Sequence, residues 1–83
     1  MKRTHSLDTF NTGHSKSLGK QVEIIIARNG APHNPFRRIQ YEMFLRQSLD
    51  NISVAIHYGD VSWMKETMDT MVAAIDKVRA ESR

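Results

Sequence analysis

The chain has 83 residues, 12 Lys and Arg against 9 Asp and Glu for a formal charge of +3, and no cysteine. A chain this short buries only about 60% of the surface it exposes when unfolded, and without cysteine it has neither disulfides nor cysteine-based zinc sites to stiffen it. One small domain held by apolar packing is expected; no run approaches the ~20 apolar residues of a membrane span, no apolar stretch follows Lys2 and Arg3 as a secretory signal requires, and a cytoplasmic protein is the expectation.

Residues 1–19 are rich in Ser, Thr, Asn, Gly and His, with Leu7, Phe10 and Leu18 as the only large apolar side chains and no useful period between them. Such a segment reads as a flexible arm. The charge is uneven, because Lys2, Arg3, Lys16 and Lys20 face only Asp8 while basic and acidic residues balance over 21–83. The basic character therefore belongs to the arm, which could settle on nucleic acid or an acidic partner.

Lys20 to Arg28 is the one strand-like run, with β-branched Val22, Ile24, Ile25 and Ile26; an N-terminal helix is the alternative, which that β-branched content disfavours. Asn29-Gly30 closes it with a turn signal. Pro32 and Pro35 follow, and neither can donate a ladder hydrogen bond, so no return strand is available in the chain. A lone strand pairs with a second copy or a target edge, and Val22, Ile24 and Ile26 would then form the dimer strand.

Asn34 and Pro35 open a helix as N-cap and first helical residue. Its pattern runs to about Tyr58, where Gly59 accepts the left-handed stop and Asp60 caps the next helix. Tyr41, Leu45, Leu49, Ile52 and Ile56 line one face, with small Ser48 and Ala55 between them. The second helix, from Val61 to about Ala80, carries Val61, Met64, Met68, Met71, Ile75 and Val78 at alternating steps of three and four. The short connection folds the two into an antiparallel hairpin, with Ile56 near Val61 and Met64, Ile52 near Met68, Leu49 near Met71, Leu45 near Ile75 and Tyr41 near Val78. The predicted fold class is mainly α: an antiparallel two-helix hairpin preceded by one short β-strand and a flexible N-terminal arm, completed by homodimerisation. The predicted organisation is an arm over 1–19 and a strand plus helical-hairpin domain over 20–83.

That seam uses one face of each helix. Phe36, Ile39, Met43 and Phe44 are left on the other side of the first helix, and Trp63 sits opposite the methionine ladder beside Thr67, Thr70 and Ala74. Exposed large apolar side chains on so small a protein mark an interface. Trp63, Phe36, Phe44 and Met43 are the candidate partner-binding residues, with Trp63 as the anchor because tryptophan dominates interface energetics. It could equally cover the hairpin end.

Arg37 and Arg38 stand in the first turn of a helix, where the macrodipole disfavours cations and free N–H groups attract anions. Together with Lys2, Arg3, Lys16 and Lys20 they are the candidate contacts for an anion or nucleic acid. The bland alternative is pairing with a carboxylate such as Glu42. Catalytic constellations are not visible: His5, His14, His33 and His57 have no helical i, i+4 pair for a metal, and the glycines are isolated rather than gathered in a phosphate loop. No enzyme, metal or cofactor is expected.

The order of strand, helix, helix over residues 20 to about 80 is similar to the ribbon-helix-helix repressors, in which two subunits pair strands and lay the ribbon in the DNA major groove. That resemblance implies base reading from Gln21, Glu23, Ile25 and Ala27. Two functions stand side by side. The preferred one is a small non-enzymatic regulator, an inhibitor or adaptor, that binds a partner protein through its exposed apolar surface; the alternative is a DNA-binding transcriptional regulator of strand-helix-helix type.

Overall fold

The computed structural model describes residues 17–81, and these form three helices: α1 over residues 17–29, α2 over Pro35–Tyr58 and α3 over Val61–Glu81. Lys2, Arg3 and Lys16 of the predicted arm lie outside the described residues, while Ser17, Leu18 and Gly19 belong to α1.

The expected strand is not there. Lys20 to Arg28 is helical, so the fold is three helices rather than a strand followed by a two-helix hairpin. Leu18, Val22, Ile25 and Asn29 follow one another at steps of four, three and four, which is a helical face and not the alternation of a pleat. Leu18 and Val22 are buried, and Ile25 and Ile26 pack against the core formed with α2 and α3. Magnitudes explain the outcome. A β-branched residue costs under ~0.7 kcal/mol in a helix, whereas full burial of a Val or Ile side chain is worth about 1.5–3 kcal/mol. Val22, Ile24 and Ile26 therefore form no dimer strand; Val22 is 7% exposed and Ile24 50%, on different sides of one helix.

Asn29-Gly30, expected as a turn closing a strand, is a helix stop. Gly30 takes a φ of 88°, its N–H donates to the Ile26 carbonyl at 2.8 Å, and Asn29 Nδ2 donates to the Ile25 carbonyl at 3.0 Å. Those bonds satisfy carbonyls that the last turn leaves open.

The boundaries of α2 and α3 follow their sequence signals. Asn34 Oδ1 accepts from the Phe36 and Arg37 N–H groups at 3.0 and 3.1 Å, with Pro35 at the first helical position. At the other end Gly59 has φ 72°, its N–H donates to the Ile56 carbonyl at 3.0 Å, and the Asp60 N–H reaches the Ala55 carbonyl at 2.8 Å. Asp60 then opens α3, because its Oδ1 accepts from the Trp63 N–H at 2.9 Å. One residue thus closes one helix with its backbone and starts the next with its side chain.

The core cluster is Val22 of α1, Tyr41 and Leu45 of α2, and Met71 and Val78 of α3, with Leu49, Ile52, Phe44 and Ile75 packed against it. Small Ser48 and Ala55 are both buried on α2. The seam is buried where α1 adds a third helix, and it opens towards the Gly59 turn, where Ile56, Val61 and Met68 are exposed. Two helices alone cannot enclose those side chains. No helix among the described residues is long and apolar enough to cross a membrane.

Candidate functional site

Two grooves flank α2, and they divide the predicted partner-binding residues between them. Helical geometry sets the division: consecutive residues are about 100° apart, so Met43 and Phe44 face different neighbours. Phe44 leans towards α3 and is half-buried against the core. Met43 stays on the outer side.

The α2–α3 groove has a volume of about 310 Å³ and brings together Phe44, Gln47, Ser48 and Asn51 of α2 with Trp63, Glu66, Thr67 and Thr70 of α3. Trp63 is 36% exposed, so a large part of its indole is packed and the rest faces the groove. The polar lining is partly occupied by local bonds. Thr67 Oγ1 donates to the Trp63 carbonyl at 2.9 Å and Thr70 Oγ1 to the Glu66 carbonyl at 3.0 Å. Gln47, Asn51 and Glu66 add two amides and a carboxylate around an aromatic pair. An aromatic anchor ringed by hydrogen-bonding side chains is the composition of a protein-binding surface.

The α1–α2 groove is larger, about 460 Å³, and is lined by Val22, Glu23 and Ile26 of α1 and by Arg38, Ile39 and Met43 of α2 among others. Ile39 and Met43 are 56% and 65% exposed. Phe36 is exposed at the start of α2 and lines neither groove. The four residues expected to form one apolar surface are therefore spread over three places, and only Trp63 and Phe44 meet.

Both helix-start arginines have carboxylate partners. Arg37 Nη2 donates to Glu81 Oε1 at 3.1 Å and Arg38 Nε to Glu42 Oε2 at 3.2 Å. Lys20 is exposed on α1. Arg38 lines the α1–α2 groove, and Arg37 lines a separate hollow beside α3. Since residues 20–28 form no strand, the ribbon of the ribbon-helix-helix arrangement is missing and that resemblance fails at its first element.

A shallower hollow of about 270 Å³ continues along the same helix pair, lined by Pro32, Arg37, Gln40, Tyr41, Phe44, Ala74 and Val78. Tyr41 Oη is buried and has no hydrogen-bond partner among the described residues, and burial raises the pKa of its hydroxyl above the ordinary 10.0. Among the described residues no group of three or more His, Asp or Glu side chains is placed to hold a metal ion.

Gln47 and Asn51 escaped the sequence reading, although they follow Phe44 at steps of three and four and so share its face. Comparison with protein-family models, with curated proteins and with solved structures found no match to this chain.

Proposed function

We propose that this cysteine-free chain is a small cytoplasmic, non-enzymatic regulator that binds a partner protein through the groove between α2 and α3 and modulates it. The observation that carries this reading is the meeting of Trp63 and Phe44 in one groove with Gln47, Asn51 and Glu66 around them. An indole already partly packed before binding has less side-chain entropy to lose on binding, which favours it as an anchor. A helix or extended segment offering an apolar side chain between hydrogen-bonding groups fits the groove, with the two amides able to donate and accept.

The test uses affinity capture with the full chain and two variants. Trp63→Ala removes the anchor. Gln47→Arg fills the groove from an exposed position without touching the core. Both should retain the circular dichroism of the parent and lose the captured protein. If either well-folded variant captures the same protein as the parent, the groove is not the binding surface.

A further inference from the structure

The strip of apolar side chains that α1 covers continues past the point where α1 begins. Leu45, 0% exposed, and Ile75 pack in the core with Val22 of α1. Ile56 follows Leu45 by eleven residues, about three helical turns, and Met68 and Val61 precede Ile75 by seven and fourteen, about two and four turns. All three therefore lie on the side of the hairpin that α1 occupies, yet they are 60%, 41% and 56% exposed. The Trp63 groove opens elsewhere: Asn51 is five residues from Ile56 and Trp63 five from Met68, about 140° around their helices.

The chain enters α1 at the edge of this uncovered strip. The short connection after residue 29 turns α1 back along α2, and a methyl group at Gly19 would stand 3.7 Å from Arg46 Nη1. Ser17, two residues before Gly19, thus lies near the level of Ser48, two residues beyond Arg46. From there to Tyr58 at the end of α2 is about 15 Å of helix. About ten more helical residues ahead of Ser17 match that length, whereas ten extended residues overshoot it about twofold.

Residues 7–16 have the pattern for such an extension. With α1 helical, the eight residues from Phe10 to Leu18, which show no period in an arm, become two steps of four through His14, and Leu7 precedes Phe10 by three. Leu7, Phe10, His14, Leu18, Val22 and Ile25 then fall within about 120° of one helix face, and Leu18 and Val22 of that face are buried. Ser6 stands where an N-cap belongs, and Asp8 in the first turn suits the dipole. Thr9, Asn11, Thr12 and Gly13 are poor helix formers, so apolar contact and not local preference has to hold the segment.

We propose that residues 7–16 of this same chain cover the open strip, carrying α1 on as a helix that seats Leu7 and Phe10 against Ile56, Val61 and Met68. The segment is tethered at the edge of the surface it covers, so its docking is intramolecular and favoured over capture of a second copy or another protein. The surface is separate from the Trp63 groove and does not rest on the proposed function.

Hydrogen exchange in the full chain tests it. The amides of residues 10–16 should exchange at least about tenfold more slowly than in an unfolded chain. Leu7→Ser/Phe10→Ser should return them to the unfolded rate while the core amides of α2 and α3 keep their protection, and Ile56→Ser/Val61→Ser, at exposed positions of the hairpin, should do the same from the other side of the contact. Residues 10–16 unprotected in the parent, which leaves the strip to a different partner, overturn the proposal; so does protection that survives either double variant.

Proximity gives a second readout that keeps every apolar contact. Thr12 and Ser53 lie seven residues from Gly19 and Arg46, two turns further along the same pairing. The chain has no cysteine, so Thr12→Cys/Ser53→Cys carries one pair of thiols. In dilute solution mild oxidation should close it within the chain at least about tenfold faster than Thr12→Cys/Gln47→Cys, whose second thiol is at a similar separation along the chain but on another side of α2. Equal rates, as loop closure alone gives, overturn the proposal, and so does a disulfide formed between two chains, which puts the segment of a second copy on the strip.

Discussion

Arg37 in the first turn of α2 donates through Nη2 to Glu81 Oε1 in the last turn of α3, 3.1 Å away. Each residue is misplaced with respect to its own helix, since a cation is disfavoured at an N-terminus and an anion at a C-terminus. The antiparallel hairpin brings the two ends together. Arg37 thereby lies beside the negative end of α3 and Glu81 beside the positive end of α2, which accounts for a pair of arginine and glutamate that looks anomalous along the sequence. Both side chains are largely exposed, and the contribution is about 0–1 kcal/mol.

Exchanging the pair is therefore informative. In Arg37→Glu/Glu81→Arg the contact is kept and each charge now suits its own helix, so the midpoint of thermal unfolding should equal or exceed that of the parent. Arg37→Glu alone sets two carboxylates together and should fall below the double variant. A double variant markedly less stable than the parent would show that the contact depends on the present geometry and not on the charges.

Position in α1 separates Val22 from Ile24 in a way a strand would not. On a strand both side chains lie on one face; on the helix Val22 is core and Ile24 is exposed. Val22→Asp should cost several kcal/mol, because a buried carboxylate lacks water and a partner. Ile24→Asp should stay within about 0.5 kcal/mol of the parent. Equal losses in chemical denaturation would contradict the helical face of α1.

Tyr41 gives the clearest pH signature. Its hydroxyl is buried without a partner among the described residues, so Tyr41→Phe should be neutral or stabilising by up to about 1 kcal/mol, whereas Tyr41→Ala should cost about 3 kcal/mol through the cavity it leaves. Burial raises the folded pKa above the unfolded value near 10.0, so above that pH the unfolded chain releases its proton first. Stability contributed by the neutral phenol is thus present below pH 10 and is lost as pH rises beyond it. Denaturant titrations at increasing alkaline pH should show a steeper loss for the parent than for Tyr41→Phe.

The turn between α2 and α3 should respond to backbone conformation alone. A Cβ at Gly59 would meet nothing within 4 Å, yet φ there is +72°. Gly59→Ala should therefore cost about 1 kcal/mol from the left-handed conformation, without any shift of neighbouring side chains. Asp60→Ala removes the acceptor for the Trp63 N–H and should cost about as much. Additive losses in the double variant would mean that the stop of α2 and the start of α3 act independently; coupling is expected, because Asp60 belongs to both.

The residues show which features were legible. Asn34, Pro35, Gly59 and Asp60 act within a few residues of themselves, through caps and left-handed backbone, and the limits of α2 and α3 could be read from them directly. The face of Tyr41 and Leu45 and the face of Met71, Ile75 and Val78 were legible for a similar reason, since a helical period is written along one segment. Residues 20–28 were not legible in this way, because three consecutive isoleucines favour a strand locally while Leu18, Val22 and Ile25 share a face that matters only when something packs on it.

By itself the sequence determined where α2 and α3 begin and end, which of their faces meet, and that the chain offers no cysteine or clustered histidine chemistry. Only the tertiary structure decided that α1 is a helix, that Phe44 joins Trp63 while Met43 faces the other groove, and that Arg37 answers Glu81. Caps and periodicity act between neighbours in the chain. Burial and charge pairing depend on which surfaces the folded helices bring within a few ångströms, and for α1 that burial outweighed the preference of its β-branched residues.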